Sequence, residues 1–92
     1  MLSMEDMIDL ITIHDGYGIL QEAYEVAMGY TPDCDDTPSF GALRHVEEII
    51  MRNSPLYQKE KGKDLGDSLW WQTLINRSMP VEARVKVIFS LP

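Results

Sequence analysis

The 92-residue chain carries a formal net charge of −7, with 45% apolar and 25% charged residues. Those ordinary globular proportions exclude a disordered or collagen-like chain, and the length predicts a single domain over residues 1–92. A domain this small hides only about 60–65% of the surface its unfolded chain exposes, so its core is thin.

No apolar run approaches the ~20 residues that cross a bilayer, so no membrane partner is expected. The opening stretch, MLSMEDMIDL, holds three acids in nine residues and no basic segment, which does not read as a secretory or transit leader. Cys34 is the one cysteine, so neither an internal disulfide nor a Cys/His zinc site is expected. Flanked by Asp33 and Asp35, it is a poor nucleophile. A reducing, cytoplasmic location follows as the expectation.

The charge is unevenly spread. Residues 1–43 hold nine acids and no Lys or Arg, whereas residues 44–92 hold eight bases and six acids. An acidic first half argues against direct nucleic-acid binding, which needs cations to displace counterions from phosphates. It allows cation binding, docking on a basic protein partner, or a solvated acidic face.

In chain order, Ser3 is placed to cap a first helix, with Glu5 and Asp6 in its positively polarised first turn. Met4, Met7, Ile8, Ile11 and Ile13 give it an apolar stripe at helical spacing. Asp15, Gly16, Tyr17 and Gly18 predict a turn. A second helix then runs from about Ile19 to Met28 and stops at Gly29, with a stripe of Ile19, Ala23, Val26, Ala27 and Tyr30. Thr31–Thr37 reads as an acidic loop. Thr37 and Pro38 open a third helix through about Arg52, whose core side is Phe40, Leu43, Val46, Ile49 and Ile50.

Ser54 and Pro55 start a fourth helix, which bends or restarts at Gly62 before Leu65–Ile75. Ser78, Met79 and Pro80 open a last short helix carrying Val81, Val85 and Ile88. Val85–Leu91 also suits a strand, but a lone strand has nothing to pair with. The predicted fold is all-α, a four- to five-helix bundle.

Four groups of residues invite a chemical reading. Glu22 and Glu25 stand three apart on the second predicted helix, beside its apolar stripe. They are either a cation-holding pair or an exposed acidic edge matched to basic side chains. Asp64 and Asp67 repeat that spacing. A carboxylate among Trp70, Trp71 and Leu74 needs a metal, a lysine or backbone amides as partner, and Asp67 is alternatively the N-cap of a helix beginning at Ser68. Lys59, Lys61 and Lys63 form a phosphate clamp or a solvated helix end. One of Trp70 and Trp71 belongs to the core, and the other is free to stack on a planar base.

Other constellations fail. Asp33, Asp35 and Thr37 begin like a calcium loop, but Pro38 and Arg44 occupy the positions of its glycine and bidentate acid. His45-x-x-Glu48 reverses the order that di-iron bundles use. Neither His14 nor His45 accompanies a recognisable nucleophile motif.

Together the two acid pairs resemble the MazG-type all-α nucleotide pyrophosphohydrolases, marked by E-x-x-E on one helix and E-x-x-D on a later one. Leu20–Met28, LQEAYEVAM, is similar to that family's first metal helix, and Asp64–Leu74, DLGDSLWWQTL, to its second. Asp64 stands where the family has glutamate, and the helix Pro38–Arg52 lengthens the gap between the pairs. The resemblance implies that Glu22, Glu25, Asp64 and Asp67 hold Mg²⁺ against a nucleoside triphosphate. Glu22 and Glu25 would serve the chemistry, while Lys61, Lys63 and Trp70 would contact the nucleotide substrate. A metal-activated water would attack the α-phosphorus, releasing pyrophosphate. The family also implies a homo-oligomer. The competing expectation is a non-enzymatic acidic helical protein that binds and blocks a basic partner, as an inhibitor or a nucleic-acid mimic.

Overall fold

The computed structural model describes residues 2–29 and 38–90. Expectations that fall on Tyr30, on Cys34, on the Thr31–Thr37 loop and its Thr37 cap, and on Leu91 lie outside the described residues. Among the described residues five helices follow in order: α1 (Met4–Met28), α2 (Pro38–Asn53), α3 (Pro55–Glu60), α4 (Leu69–Ile75) and α5 (Val81–Phe89). A single 3-10 turn, Leu65–Asp67, precedes α4, and no strand occurs among the described residues. The all-α expectation holds, and Val85–Phe89 is helix rather than strand.

The start signals act as their chemistry predicts. Ser3 Oγ accepts from the Asp6 amide at 3.0 Å while Asp6 Oδ2 accepts from the Ser3 amide at 3.3 Å, a reciprocal capping box. Gly29, at φ 74°, ends α1 in the left-handed conformation. Ser54 Oγ accepts from the Tyr57 amide and donates to the Ile88 carbonyl at 2.6 Å, so the cap of α3 is also bonded to α5.

One expected boundary is absent. Residues 15–18 do not turn, and α1 continues through them as one helix of 25 residues. Such a helix is about 37 Å long, close to the molecule's longest dimension of 41 Å. The reason is tertiary. A Cβ at Gly18 would lie 3.2 Å from the Arg77 guanidinium, so this glycine makes room for a side chain 59 positions away rather than bending the backbone.

The segment after Ser54 restarts rather than bends. At Gly62, φ 97°, the chain leaves α3, and it re-enters helix only at Leu69. The cap of α4 is Ser68, whose Oγ accepts from the Trp71 amide at 3.3 Å; Asp67 does not cap it.

The core gathers Ile11 from α1, Val46 and Ile50 from α2, Trp70 and Leu74 from α4, and Val85, Ile88 and Phe89 from α5. Trp70 meets Tyr57 edge-on, with ring centroids 4.8 Å apart and planes at 88°. Helix α5 is the common neighbour of α1, α3 and α4. Among the described residues no helix is long and apolar enough to cross a membrane.

Candidate functional site

Because α1 is continuous, Met7, Ile11, His14, Gly18, Gln21 and Glu25 recur at three- and four-residue steps and share its inward face. The first two are apolar and pack on the core. From His14 onward the same face is polar, and it fronts a cleft of about 350 Å³ walled by Leu43, Trp71 and Ile75. Polar side chains at core-facing positions weaken a small domain unless they are paired or used.

Most of them are paired across the fold. His14 Nε2 and Glu47 Oε2 are 2.9 Å apart, both side chains almost wholly buried, and join α1 to α2. Asp15 accepts two bonds from Arg84, at 2.9 and 2.5 Å, joining α1 to α5. Arg84 is only 1% exposed, and its Nη1 also donates to the Leu74 carbonyl at 3.0 Å. Such a guanidinium is tolerated only because the carboxylate and the carbonyl meet it.

Arg77 lies across Gly18 and donates through Nη2 to both Glu22 oxygens, at 2.8 and 2.7 Å, at the cleft's edge. That hydrogen bond chiefly, with the Glu22 and Asp15 charges adding, holds Arg77 above the usual guanidinium range against a smaller desolvation cost. Glu25 differs from these acids. It is half-buried on the cleft wall and forms no ion pair with any described residue.

The remaining residues expected in a site lie elsewhere. Asp64 and Asp67 are exposed on the turn before α4, and neither lines the cleft. Lys61 and Lys63 follow α3, where Lys63 Nζ stands 3.8 Å from Glu60. Among the described residues no three His, Cys, Asp or Glu side chains gather closely enough to hold a metal ion. The quartet Glu22, Glu25, Asp64 and Asp67 is therefore not assembled within one chain. Trp70 is 2% exposed and belongs to the core, which leaves it no face for a nucleotide; its neighbour Trp71 fronts the cleft.

The amide partner sought for Asp67 belongs instead to Glu60. Glu60 Oε1 accepts from the Trp70 amide at 2.8 Å and Oε2 from the Leu69 amide at 3.0 Å, so this carboxylate covers the start of α4. Burial is the largest single influence on Glu60 and pushes its carboxyl up. The Trp70 and Leu69 amides, with Lys63 and the Ser68 hydroxyl, together outweigh it and hold the group below its usual value.

Of the polar cleft residues, Gln21, Glu47 and Arg77 had no place in the sequence reading; His14 was considered only as a partner for a nucleophile, Asp15 only as part of a turn, and Trp71 only as one of two tryptophans, either of which could stack on a base. The signal for His14 and Gln21 was present: carried through Gly16 and Gly18, the Met7–Ile11 rhythm reaches both. The stripe assigned to residues 19–27 is mostly surface, with Val26 83% exposed. Comparison with protein-family models finds no match, and comparisons with curated proteins and with solved structures find none either.

Proposed function

We propose that this chain is a non-enzymatic acidic interaction protein whose cleft receives a Lys or Arg side chain from a basic protein partner. The observation that carries the reading is Glu25, a half-buried carboxylate on the cleft wall with no ion pair among the described residues. Around it the charge balance is negative. Asp15, Glu22, Glu25 and Glu47 line the cleft, and among the described residues Arg77 is the one Lys or Arg in its lining. The half-buried Trp71 supplies an aromatic wall of the kind that favours cations. Ile19 and Val26 flank Glu22 within one helical turn on either side, giving the cleft an exposed apolar rim. A cation beside Glu25 meets a carboxylate that has no ion pair among the described residues, whereas a bare triphosphate meets the acids that line the cleft.

The experiment is a titration with an arginine-rich and a lysine-rich peptide, following the Trp71 indole N–H by NMR. Binding that shifts this signal, weakens with salt and is lost in Glu25→Gln supports the reading. No shift with either peptide overturns it. The second reading is the Mg²⁺-dependent pyrophosphohydrolase, favoured by Glu22 and Glu25 lining one cleft together. Pyrophosphate released from a nucleoside triphosphate only with Mg²⁺, and lost in Glu22→Gln, would replace the first reading with the second.

A further inference from the structure

Two acids of the cleft are already met by a Lys or Arg of this chain, and in both cases it is an arginine. Arg84 sets two nitrogens on the two oxygens of Asp15, and Arg77 reaches both oxygens of Glu22. Glu25 stands beside them with no ion pair among the described residues. The aromatic wall nearby is braced rather than loose. The Trp71 ring meets Trp70 edge-on, with centroids 5.8 Å apart and planes at 69°, and the Trp71 amide donates to Ser68 Oγ. Even so, Trp71 stays half-buried where it fronts the cleft. A ring fixed before a ligand arrives loses little freedom when one binds.

We infer that the side chain this cleft receives is an arginine, and that Trp71 is the residue that selects it over lysine. The inference rests on the cation-accepting reading of the cleft and narrows it. A guanidinium is flat and weakly hydrated, so it stacks on an indole while its fork meets both oxygens of one carboxylate. An ammonium is a compact, strongly hydrated point charge, and entering a half-buried site costs it more water. Glu25 supplies the carboxylate and Trp71 the indole, both on the lining of one cleft. Leu43 and Ile75 add apolar walls for the aliphatic stem. Without Trp71 the site keeps its charge and loses its means of telling the two cations apart.

The test is an NMR titration of the isotope-labelled whole chain with two capped Gly/Ser peptides that differ at one central residue, Arg in one and Lys in the other. The Arg peptide is expected to bind about fivefold more tightly. Trp71→Leu is expected to bring the two affinities together, while Trp71→Phe, which keeps an aromatic face, retains most of the preference. Circular dichroism reports whether each variant keeps its helices. Equal affinity for the two peptides, or tighter binding of the Lys peptide, overturns the inference and leaves a cation-accepting cleft standing. A preference that survives in folded Trp71→Leu overturns it as well. Should Trp71→Leu unfold, Trp71→Phe decides, and complete loss of the preference there overturns the aromatic selection. Binding of neither peptide brings down the reading of the cleft, and this inference with it.

Discussion

The two halves of α1 obey opposite rules. Before Ile13 the helix is an ordinary amphipathic one, with Met7 and Ile11 packed inward and Glu5, Asp6 and Asp9 in solvent. From His14 onward the inward face is polar, and apolar side chains such as Ile19, Leu20 and Val26 stand outside. The first half is held by area removed from water, and the second by a His14–Glu47 hydrogen bond to α2 and by ion pairs reaching α5 and the segment after α4. A helix that inverts its pattern while remaining continuous joins a segment that packs the core to one that fronts the cleft.

The largest expected effect breaks the polar half. Asp15→Ala strands the buried Arg84 guanidinium and is expected to cost about 3–5 kcal/mol in urea denaturation. Ile11→Ala in the apolar half removes a fully buried side chain and is expected to cost about 2–4 kcal/mol. The two respond differently to repair. Asp15→Leu combined with Arg84→Met is expected to recover most of the loss, whereas nothing short of refilling the cavity rescues Ile11→Ala.

An intermediate effect comes from Glu60, an inward carboxylate outside α1. Its folded pKa is below its unfolded one, so its contribution is complete above about pH 4.3 and is lost as pH falls through the folded value. Glu60→Gln is expected to lower stability by about 1–3 kcal/mol at neutral pH and to flatten the acid limb of the stability curve. The smallest effect sharpens the comparison at the junction of the two halves. Gly16→Ala, with open space beside it in a helix interior, is expected to stabilise by about 0.4–1 kcal/mol. Gly18→Ala gains less or loses, because its Cβ presses on the Arg77 guanidinium that reaches Glu22. Thermal melts of the two variants side by side decide it.

What the sequence made legible was local. Ser3, Gly29, Ser54–Pro55 and Pro80 mark helix ends through chemistry spanning a few residues, and they marked them correctly. Residues 15–18 misled because two glycines near an aspartate normally signal a turn, and Gly18's partner lies 59 positions on. The start of α4 misled for a similar reason: Asp67 was adjacent and acidic, but the carboxylate on those amides is Glu60, delivered by the preceding helix. In the cleft, Glu22 and Glu25 were legible as a pair on one helix. Glu47, Arg77 and the choice of Trp71 over Trp70 were not, since they depend on which faces α2 and α4 turn inward.

The placement of α5 bears on how this protein is made. Val85, Ile88 and Phe89 join residues from α1, α2 and α4 into one core, and Ser54 bonds to the Ile88 carbonyl. During synthesis the earlier helices therefore emerge from the ribosome while the element that unites them is unmade or still inside the exit tunnel. A nascent chain arrested before Phe89 is expected to be cut readily by protease, and resistance should arrive in one step once that residue clears the exit tunnel.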